Sequence, residues 1–141
     1  MSVTRKEAAK HLLKLRDTRE SFHGFCTSLY PQFKFAGFQE ELIDALDKLE
    51  QGKLGTTRLL ITMPPRHGKS FFATVLFPVY YLACKPNRNV LSTSYNQDLA
   101  KTFGRQVRDH AREPLVLQAF DTFEMSDESR AVDDWRTTAH G

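Results

Sequence analysis

The sequence predicts an α/β fold, in which a parallel sheet is flanked by helices and preceded by further N-terminal helices. Two short apolar runs, residues 59–63 and 89–94, are typical of strands buried inside such a sheet. A longer segment with the spacing of an amphipathic helix follows each run, at residues 69–84 and 97–112. The order strand, helix, strand, helix indicates a βαβ unit, whose two strands are parallel.

Three helices are predicted before the first apolar run. Thr4 and Glu7 have the spacing of a capping box, which predicts a helix start at Thr4. Thr18 is positioned to cap a second helix, and Pro31 ends it. The third helix has one apolar face and is closed by Gly52. This face consists of Phe38, Leu42, Ala45, Leu46 and Leu49.

Size and composition are those of an ordinary folded protein. The chain has 141 residues, of which 40% are hydrophobic and 26% are charged. We divide it into an N-terminal helical segment, residues 1–36, and the first part of a larger domain, residues 37–141. The net charge of +3 is too small to indicate a nucleic-acid partner by itself. No membrane span and no secretory signal is predicted, so we expect the protein inside a cell.

The motif that carries chemistry lies between the first apolar run and the helix after it. Residues 63–70 read Met-Pro-Pro-Arg-His-Gly-Lys-Ser, which ends like the Walker A pattern, although Met63 replaces its first glycine. Phosphate oxygens bind a row of backbone N–H groups at a helix N-terminus. Because Pro64 and Pro65 have no N–H, the donors must come from residues 66–71.

Each side chain of this loop has an expected role in nucleotide chemistry. Gly68 lets the backbone pass close to phosphate, Lys69 provides charge for the β- and γ-phosphates, and Ser70 offers its hydroxyl to Mg²⁺. Arg66 either stabilises the γ-phosphate during transfer or is an exposed loop residue. Lys69 and Arg66 are therefore the candidate catalytic residues. The candidate nucleotide-binding residues are Arg66, His67, Gly68, Lys69, Ser70 and Phe71, with the His67 side chain expected to be a bystander.

The string Pro-Pro-Arg-His-Gly-Lys-Ser after an apolar run resembles the deviant Walker A motif of phage terminase large subunits. That family continues with Phe-Pro and aromatic residues in the next helix, as in residues 77–81 here. A strand leading into Ser-Tyr and a helix with Leu-Ala, Phe-Gly-Arg and Val-Arg follow, as in residues 93–108. Residues 135–138 resemble the start of the family's next hairpin. The resemblance covers about residues 38–141.

This resemblance implies a P-loop NTPase fold of the ASCE type, of which the chain holds only the first part. The family's Walker B strand and nuclease domain are missing from the sequence. Asp121, Asp133 and Asp134 are not a Walker B motif, because none of them follows an apolar strand. The complete protein is then an ATPase that uses ATP and Mg²⁺ to move double-stranded DNA into a procapsid. The sequence leaves open whether this chain hydrolyses ATP alone.

The resemblance also implies partners and a place of action. The partners are double-stranded DNA, the portal protein, the small terminase subunit and further copies of the chain in a ring. The place is the cytoplasm of the infected bacterial cell, at the procapsid. Two other functions remain open: another nucleic-acid motor of helicase type, and a truncated, non-catalytic module that binds nucleotide or a partner.

Two further groups of residues are candidates outside the loop. The family suggests an adenine contact from a glutamine near an aromatic residue; Gln39, beside Phe38, is either that contact or a surface residue in the first turn of its helix. A basic ridge follows helical spacing, which places its members on one face. This ridge either contacts DNA phosphates or a neighbouring subunit, or is a solvated face; it consists of Lys101, Arg105, Arg108 and Arg112.

Overall fold

The computed structural model describes residues 4–126 and 135–139, and this part of the chain is helical. Its α-helices are α1 (Arg5–Glu20), α2 (Phe22–Leu29), α3 (Gly37–Glu50), α4 (Phe77–Cys84), α5 (Gln97–Ala111) and α6 (Pro114–Ala119). A π-helical segment, Phe71–Leu76, leads directly into α4. Lys69 and Ser70 are already helical, so one continuous helical rod starts at the end of the candidate loop.

The predicted parallel sheet, and with it the P-loop NTPase fold of the ASCE type, is wrong. In residues 4–126 and 135–139 there is no strand, and residues 59–63 and 89–94 have no regular secondary structure. Leu60 is 91% exposed and Leu91 is 89% exposed. A strand is stabilised by hydrogen bonds to a neighbouring strand and by burial of its faces. Among the described residues, neither apolar run pairs with a neighbouring strand.

The predicted strand at residues 135–138 is also not seen. Met125 and Thr137 form a single antiparallel bridge, with hydrogen bonds from Ser126 N–H to the Arg136 carbonyl at 2.8 Å and from Thr138 N–H to the Glu124 carbonyl at 2.9 Å. The pairing does not extend over enough described residues to make a strand.

The first helix begins where the capping box predicts, but the second cap is a different residue. Thr4 N–H donates to the Glu7 carboxylate at 2.8 Å, and Glu7 N–H donates to the Thr4 hydroxyl at 3.3 Å. Thr18 lies inside α1 and donates its hydroxyl hydrogen to the Lys14 carbonyl at 2.7 Å. Ser21 caps α2 instead, accepting from Gly24 N–H at 2.9 Å. The prediction of Thr18 as the cap was wrong because α1 continues for one further turn.

The third helix ends at its predicted glycine. Gly52 has a φ of +70°, the left-handed conformation that closes helices. Gly52 N–H bonds the Leu49 carbonyl at 3.2 Å, and Lys53 N–H bonds the Lys48 carbonyl at 2.8 Å, which together form a Schellman motif. The Lys85 ammonium contacts the Glu50 carboxylate at 2.8 Å. This ion pair holds the end of α3 against the end of α4.

Pro78 lies in the first turn of α4, directly after the π-helical segment. A proline inside a regular α-helix removes one hydrogen bond, and its ring collides with the carbonyl of the residue four positions earlier. Here that residue is Thr74, which lies within the wider π-helical turns. The Phe77 N–H bonds the Phe72 carbonyl, five residues back. The π-helical segment therefore lets the rod continue past Pro78.

An aromatic cluster joins the N-terminal helices to the rest of the described chain. The Tyr80 ring of α4 lies 5.4 Å from both the Phe22 and the Phe25 ring of α2, between ring centroids. Phe120, directly after α6, lies 6.4 Å from Phe25. All four residues are at most 7% exposed. Residues 1–36 thus contribute side chains to the same core as residues 37–141.

The close approach of α1 and α2 predicts that a larger residue at Gly24 destabilises the protein. A Cβ atom on Gly24 would lie 2.0 Å from the Asp17 carbonyl oxygen, which is backbone and has little freedom to move. We expect Gly24→Ala to lower the free energy of unfolding by about 2–3 kcal/mol, because the helices must separate. Urea denaturation measures this change as a lower midpoint.

Gly37→Ala is the matched control, because nothing lies within 4 Å of a Cβ atom there and Gly37 starts α3. Its effect should stay within about 1 kcal/mol, with stabilisation expected from the higher helix propensity of alanine. Equal midpoints for the two variants would contradict the close packing of α1 and α2.

Candidate phosphate-binding loop

The candidate loop surrounds an open cavity at the start of the helical rod. The cavity has a volume of about 490 Å³. Its walls consist of Met63, Pro64, Pro65, Arg66, Gly68, Lys69, Ser70 and Phe71. All predicted loop residues except His67 therefore line one cavity, and every wall residue comes from one continuous stretch of chain.

Two residues with left-handed backbone conformations shape the loop. Arg66 has a φ of +64° and Gly68 has a φ of +86°. A glycine adopts this conformation at little cost, whereas a side chain such as that of Arg66 costs roughly 1–2 kcal/mol there. Arg66 is the only non-glycine residue of the described chain with a positive φ. The surrounding structure must therefore hold the loop in this shape.

The loop ends in a row of backbone donors. The first hydrogen bond of the helical rod runs from Phe72 N–H to the Gly68 carbonyl at 3.0 Å. The preceding N–H groups have no acceptor within the rod, as at the start of any helix. These groups belong to Gly68, Lys69, Ser70 and Phe71. These four N–H groups lie within residues 66–71, the range from which the sequence predicts the phosphate donors.

The side chains around the cavity are cationic or neutral. Arg66 and Lys69 are exposed, and neither forms an ion pair with another described residue. Ser70 is half-buried. No acidic residue is among the described residues that line the cavity. The helix N-terminus and these two cations favour an anion at the same place.

His67 has a local structural contact. Its Nδ1 lies 2.7 Å from the Pro65 carbonyl, and this contact is a hydrogen bond only when Nδ1 carries the proton. The His67 ring stands edge-on to the Phe38 ring, with 5.4 Å between centroids. The side chain is exposed and does not line the cavity. Its contacts brace the loop without reaching toward a ligand.

Gln39 lies beneath the loop. It is 9% exposed, so the alternative of a surface residue does not describe it. Its Oε1 accepts from Ala36 N–H at 2.9 Å, and its Nε2 donates to the His67 carbonyl at 3.2 Å. One amide hydrogen and one lone pair remain for any other partner. The predicted adenine contact would have to use these, or replace the bonds to Ala36 and His67.

The basic ridge is not uniform in exposure. Arg105 on α5 is exposed, and so is Arg112, which follows α5 directly. Lys101 is half-buried, while the Arg108 side chain is only 17% exposed. The Arg108 Nε is buried without a hydrogen bond to any described residue, at 3.7 Å from an Asp109 carboxylate oxygen. Only Arg105 and Arg112 are thus freely available to a large anionic partner.

The sequence did not predict a cluster that fixes the end of the loop. The Tyr30 hydroxyl lies 2.7 Å from His110 Nε2, and the His110 Nδ1 lies 2.7 Å from the Gln106 carbonyl. With Nδ1 donating to that carbonyl, the neutral ring accepts from Tyr30 at Nε2. Burial, with the nearby Glu113 and Cys26, raises the pKa of Tyr30. The Phe71 ring packs 5.4 Å from Tyr30. Tyr30 and His110 are too far apart in sequence for any local pattern to indicate this contact.

The chemistry of the cavity fits phosphate groups better than it fits a metal ion alone. Magnesium is usually held by one or two carboxylates together with substrate phosphates. Within the part of the chain that the structure describes, no group of three metal-ligating side chains forms. Ser70 is the candidate ligand in the cavity wall. Asp121 is exposed after α6, and Asp133 and Asp134 lie outside the described residues.

Comparison with known proteins identifies no relative of this chain. No protein-family model matches the chain, and neither a curated protein nor a solved structure matches it. Over the described residues, no helix combines the length and apolar character needed to cross a membrane. The function must therefore be argued from the loop and its surroundings.

The packing of the loop onto the helical rod generates a second stability prediction. A Cβ atom on Gly68 would lie 2.9 Å from the Phe72 ring and 3.3 Å from Gln39 Nε2. Phe72 is 1% exposed, so its ring cannot swing away. We expect Gly68→Ala to destabilise the protein by about 1–3 kcal/mol beyond the cost of its backbone conformation.

Gly55→Ala isolates that backbone cost. Gly55 has a φ of +76°, and nothing lies within 4 Å of a Cβ atom there. It should lose roughly 1–2 kcal/mol from the left-handed conformation alone. Chemical denaturation of both variants gives the difference, and a difference near zero would mean that the loop does not rest on Phe72.

Proposed function

We propose that the loop binds the phosphates of ATP, and that the chain is the ATP-binding N-terminal part of a viral terminase large subunit. In its complete form this protein is an ATPase that moves double-stranded DNA into a procapsid. The observation that carries the proposal is the row of N–H donors at residues 68–71, beside the free cations Arg66 and Lys69. A triphosphate offers the dense negative charge that this arrangement attracts.

Each group at the cavity has a role in that proposal. The donors of residues 68–71 hold phosphate oxygens, and Lys69 neutralises charge on the β- and γ-phosphates. The Ser70 hydroxyl would serve as one ligand of Mg²⁺, which would neutralise the remaining phosphate charge. Arg66 is an exposed residue of the cavity wall with a left-handed backbone conformation, and in this proposal its side chain approaches the γ-phosphate.

The assignment to terminases rests on the resemblance of the loop and its flanking motifs. Under it, the partners are the DNA duplex, the portal protein, the small terminase subunit and further copies of the chain in a ring. The site of action is the procapsid in the cytoplasm of the infected bacterium. A helicase-like motor would bind ATP by the same chemistry, so phosphate binding alone does not separate the two.

One observation favours a second candidate, a non-catalytic nucleotide-binding module. Phosphoryl transfer needs Mg²⁺ held from two sides and an oriented attacking group, and carboxylates commonly provide both. None of the described residues around the cavity is acidic. The isolated chain thus has the groups for binding, and hydrolysis requires a carboxylate from elsewhere in the chain or from another subunit.

Nucleotide binding is tested by removing the lysine charge. We expect Lys69→Ala to weaken the binding of a labelled ATP analogue tenfold to a hundredfold, since a charge-assisted contact contributes about 1.5–3 kcal/mol. Fluorescence titration in the presence of Mg²⁺ measures the dissociation constant. Lys53→Ala, an exposed lysine after α3, controls for net charge and should bind as the unchanged protein does. Equal affinities for all three proteins would exclude Lys69 from the site.

DNA binding is tested on the exposed members of the ridge. We expect the double variant Arg105→Gln, Arg112→Gln to reduce the salt dependence of duplex binding by about 0.9 in log–log slope for each phosphate that it no longer neutralises. Arg108→Gln should leave the slope unchanged, because its side chain is mostly buried. Anisotropy of a labelled duplex at several salt concentrations gives the slopes. If the double variant and the control Arg19→Gln, on α1, show the same salt dependence of duplex binding, the ridge is a solvated face.

A further inference from the structure

We infer that Gln39 is a positioning residue for the phosphate loop, holding the backbone donors toward the ligand in place of reading the base. The inference rests on the proposed function, because it concerns how the same loop binds phosphate. In this role, Gln39 fixes the orientation of the peptide group between His67 and Gly68. Binding of any triphosphate should then depend on Gln39, whatever base the nucleotide carries.

The Gln39 amide is fixed at both of its atoms. The oxygen accepts from Ala36 N–H at 2.9 Å, which orients the side chain within the first turn of α3. The nitrogen donates to the His67 carbonyl at 3.2 Å. Gln39 N–H is itself bonded to the Ala36 carbonyl at 2.8 Å. A buried amide held in this way has one orientation, so the position of its donor is defined by α3.

The bond to His67 fixes the direction of a candidate phosphate donor. All described peptide bonds are trans, and in a trans peptide the C=O and the following N–H point in opposite directions. The His67 carbonyl points at Gln39, which is buried. The Gly68 N–H must therefore point away from Gln39. Rotation of this one peptide would turn the donor inward and present a carbonyl oxygen, which repels phosphate, in its place.

The peptide needs such a restraint because its neighbours do not provide it. The peptide joins His67 to Gly68, which has a left-handed φ angle, and glycine also adopts other conformations readily. The space below Gly68 is filled by Gln39 and by the Phe72 ring, which a Cβ atom would meet at 3.3 Å and 2.9 Å. Phe72 supplies apolar contact only. Gln39 is the polar group that selects one orientation of the peptide.

The test compares ligands with and without a base. Gln39→Met removes both amide bonds at nearly constant volume, while Gln39→Glu keeps an acceptor for Ala36 N–H and loses the donor to His67. The probes are ATP, GTP and inorganic tripolyphosphate, each with Mg²⁺, measured by calorimetric titration. We expect both variants to bind all three probes about threefold to tenfold more weakly, the effect of one neutral hydrogen bond. Gln32→Glu, at an exposed position, controls for the added negative charge.

Several outcomes would overturn the inference. A loss confined to ATP would make Gln39 a reader of adenine. A loss in Gln39→Met but not in Gln39→Glu would assign the effect to the bond with Ala36. Unchanged binding of all probes by both variants would leave Gln39 without influence on the loop. Failure of the unchanged protein to bind any probe would refute the proposed function itself, and a measurement without ligand then decides the inference.

That measurement is amide hydrogen exchange in the unliganded protein. The Phe72 N–H bonds the Gly68 carbonyl, so its exchange rate reports whether the loop stays closed on the rod. We expect faster exchange at Phe72 in both Gln39 variants. The Phe25 N–H, which bonds the Ser21 carbonyl at 2.9 Å, should exchange at an unchanged rate. Equal acceleration at both sites would indicate general destabilisation and overturn a positioning role.

Discussion

The burial of Tyr80 among phenylalanine rings is the constraint on which the rest of the structure depends. The described helices have no sheet to pack on. They pack instead around Tyr80, whose ring contacts Phe22, Phe25 and Phe120. Each fully buried aromatic side chain contributes roughly 1.5–3 kcal/mol. Burial of Tyr80 fixes α4, and α4 continues the rod that begins at Lys69. The donor row of the loop is therefore positioned by a core that extends along the rod from Phe72 to Tyr80.

Sequence reasoning succeeded where structure is decided by neighbouring residues. The Thr4–Glu7 capping box and the Gly52 closure are local hydrogen-bond patterns, and both were confirmed. The strands were wrong because an apolar run does not indicate whether a neighbouring strand exists to pair with it, as Leu60 demonstrates by its exposure. The helix start near Lys69 was predicted from the amphipathic spacing of residues 69–84, and the structure confirms it. The supporting contacts from Gln39 and Tyr30 were not, since they join residues 28 and 80 positions apart.

The charged groups around the loop meet the requirements of phosphate binding, whereas hydrolysis has further requirements. Binding needs donors and cations, which one continuous stretch of chain provides through Arg66 and Lys69. Hydrolysis also needs a carboxylate at the metal and another at the attacking group, and these must come from other elements. An acidic residue already in the cavity wall would weaken the attraction for phosphate in the empty loop. Under the proposed function, a loop with cations alone is suited to bind the nucleotide before a catalytic carboxylate approaches it.

The two ends of the loop are held by different kinds of contact. At the end toward the rod, Phe71 packs against Tyr30, whose hydroxyl contacts His110 on α5, and Gln39 holds the His67 carbonyl. At the other end, residues 59–63 have no regular secondary structure, but Leu59, Ile61 and Met63 pack against the hydrophobic core. A ligand that binds the donors of residues 68–71 meets groups already in place, so it loses little conformational entropy there. Under the proposed function, the donors of residues 68–71 are therefore where phosphate binds with the least loss of conformational entropy.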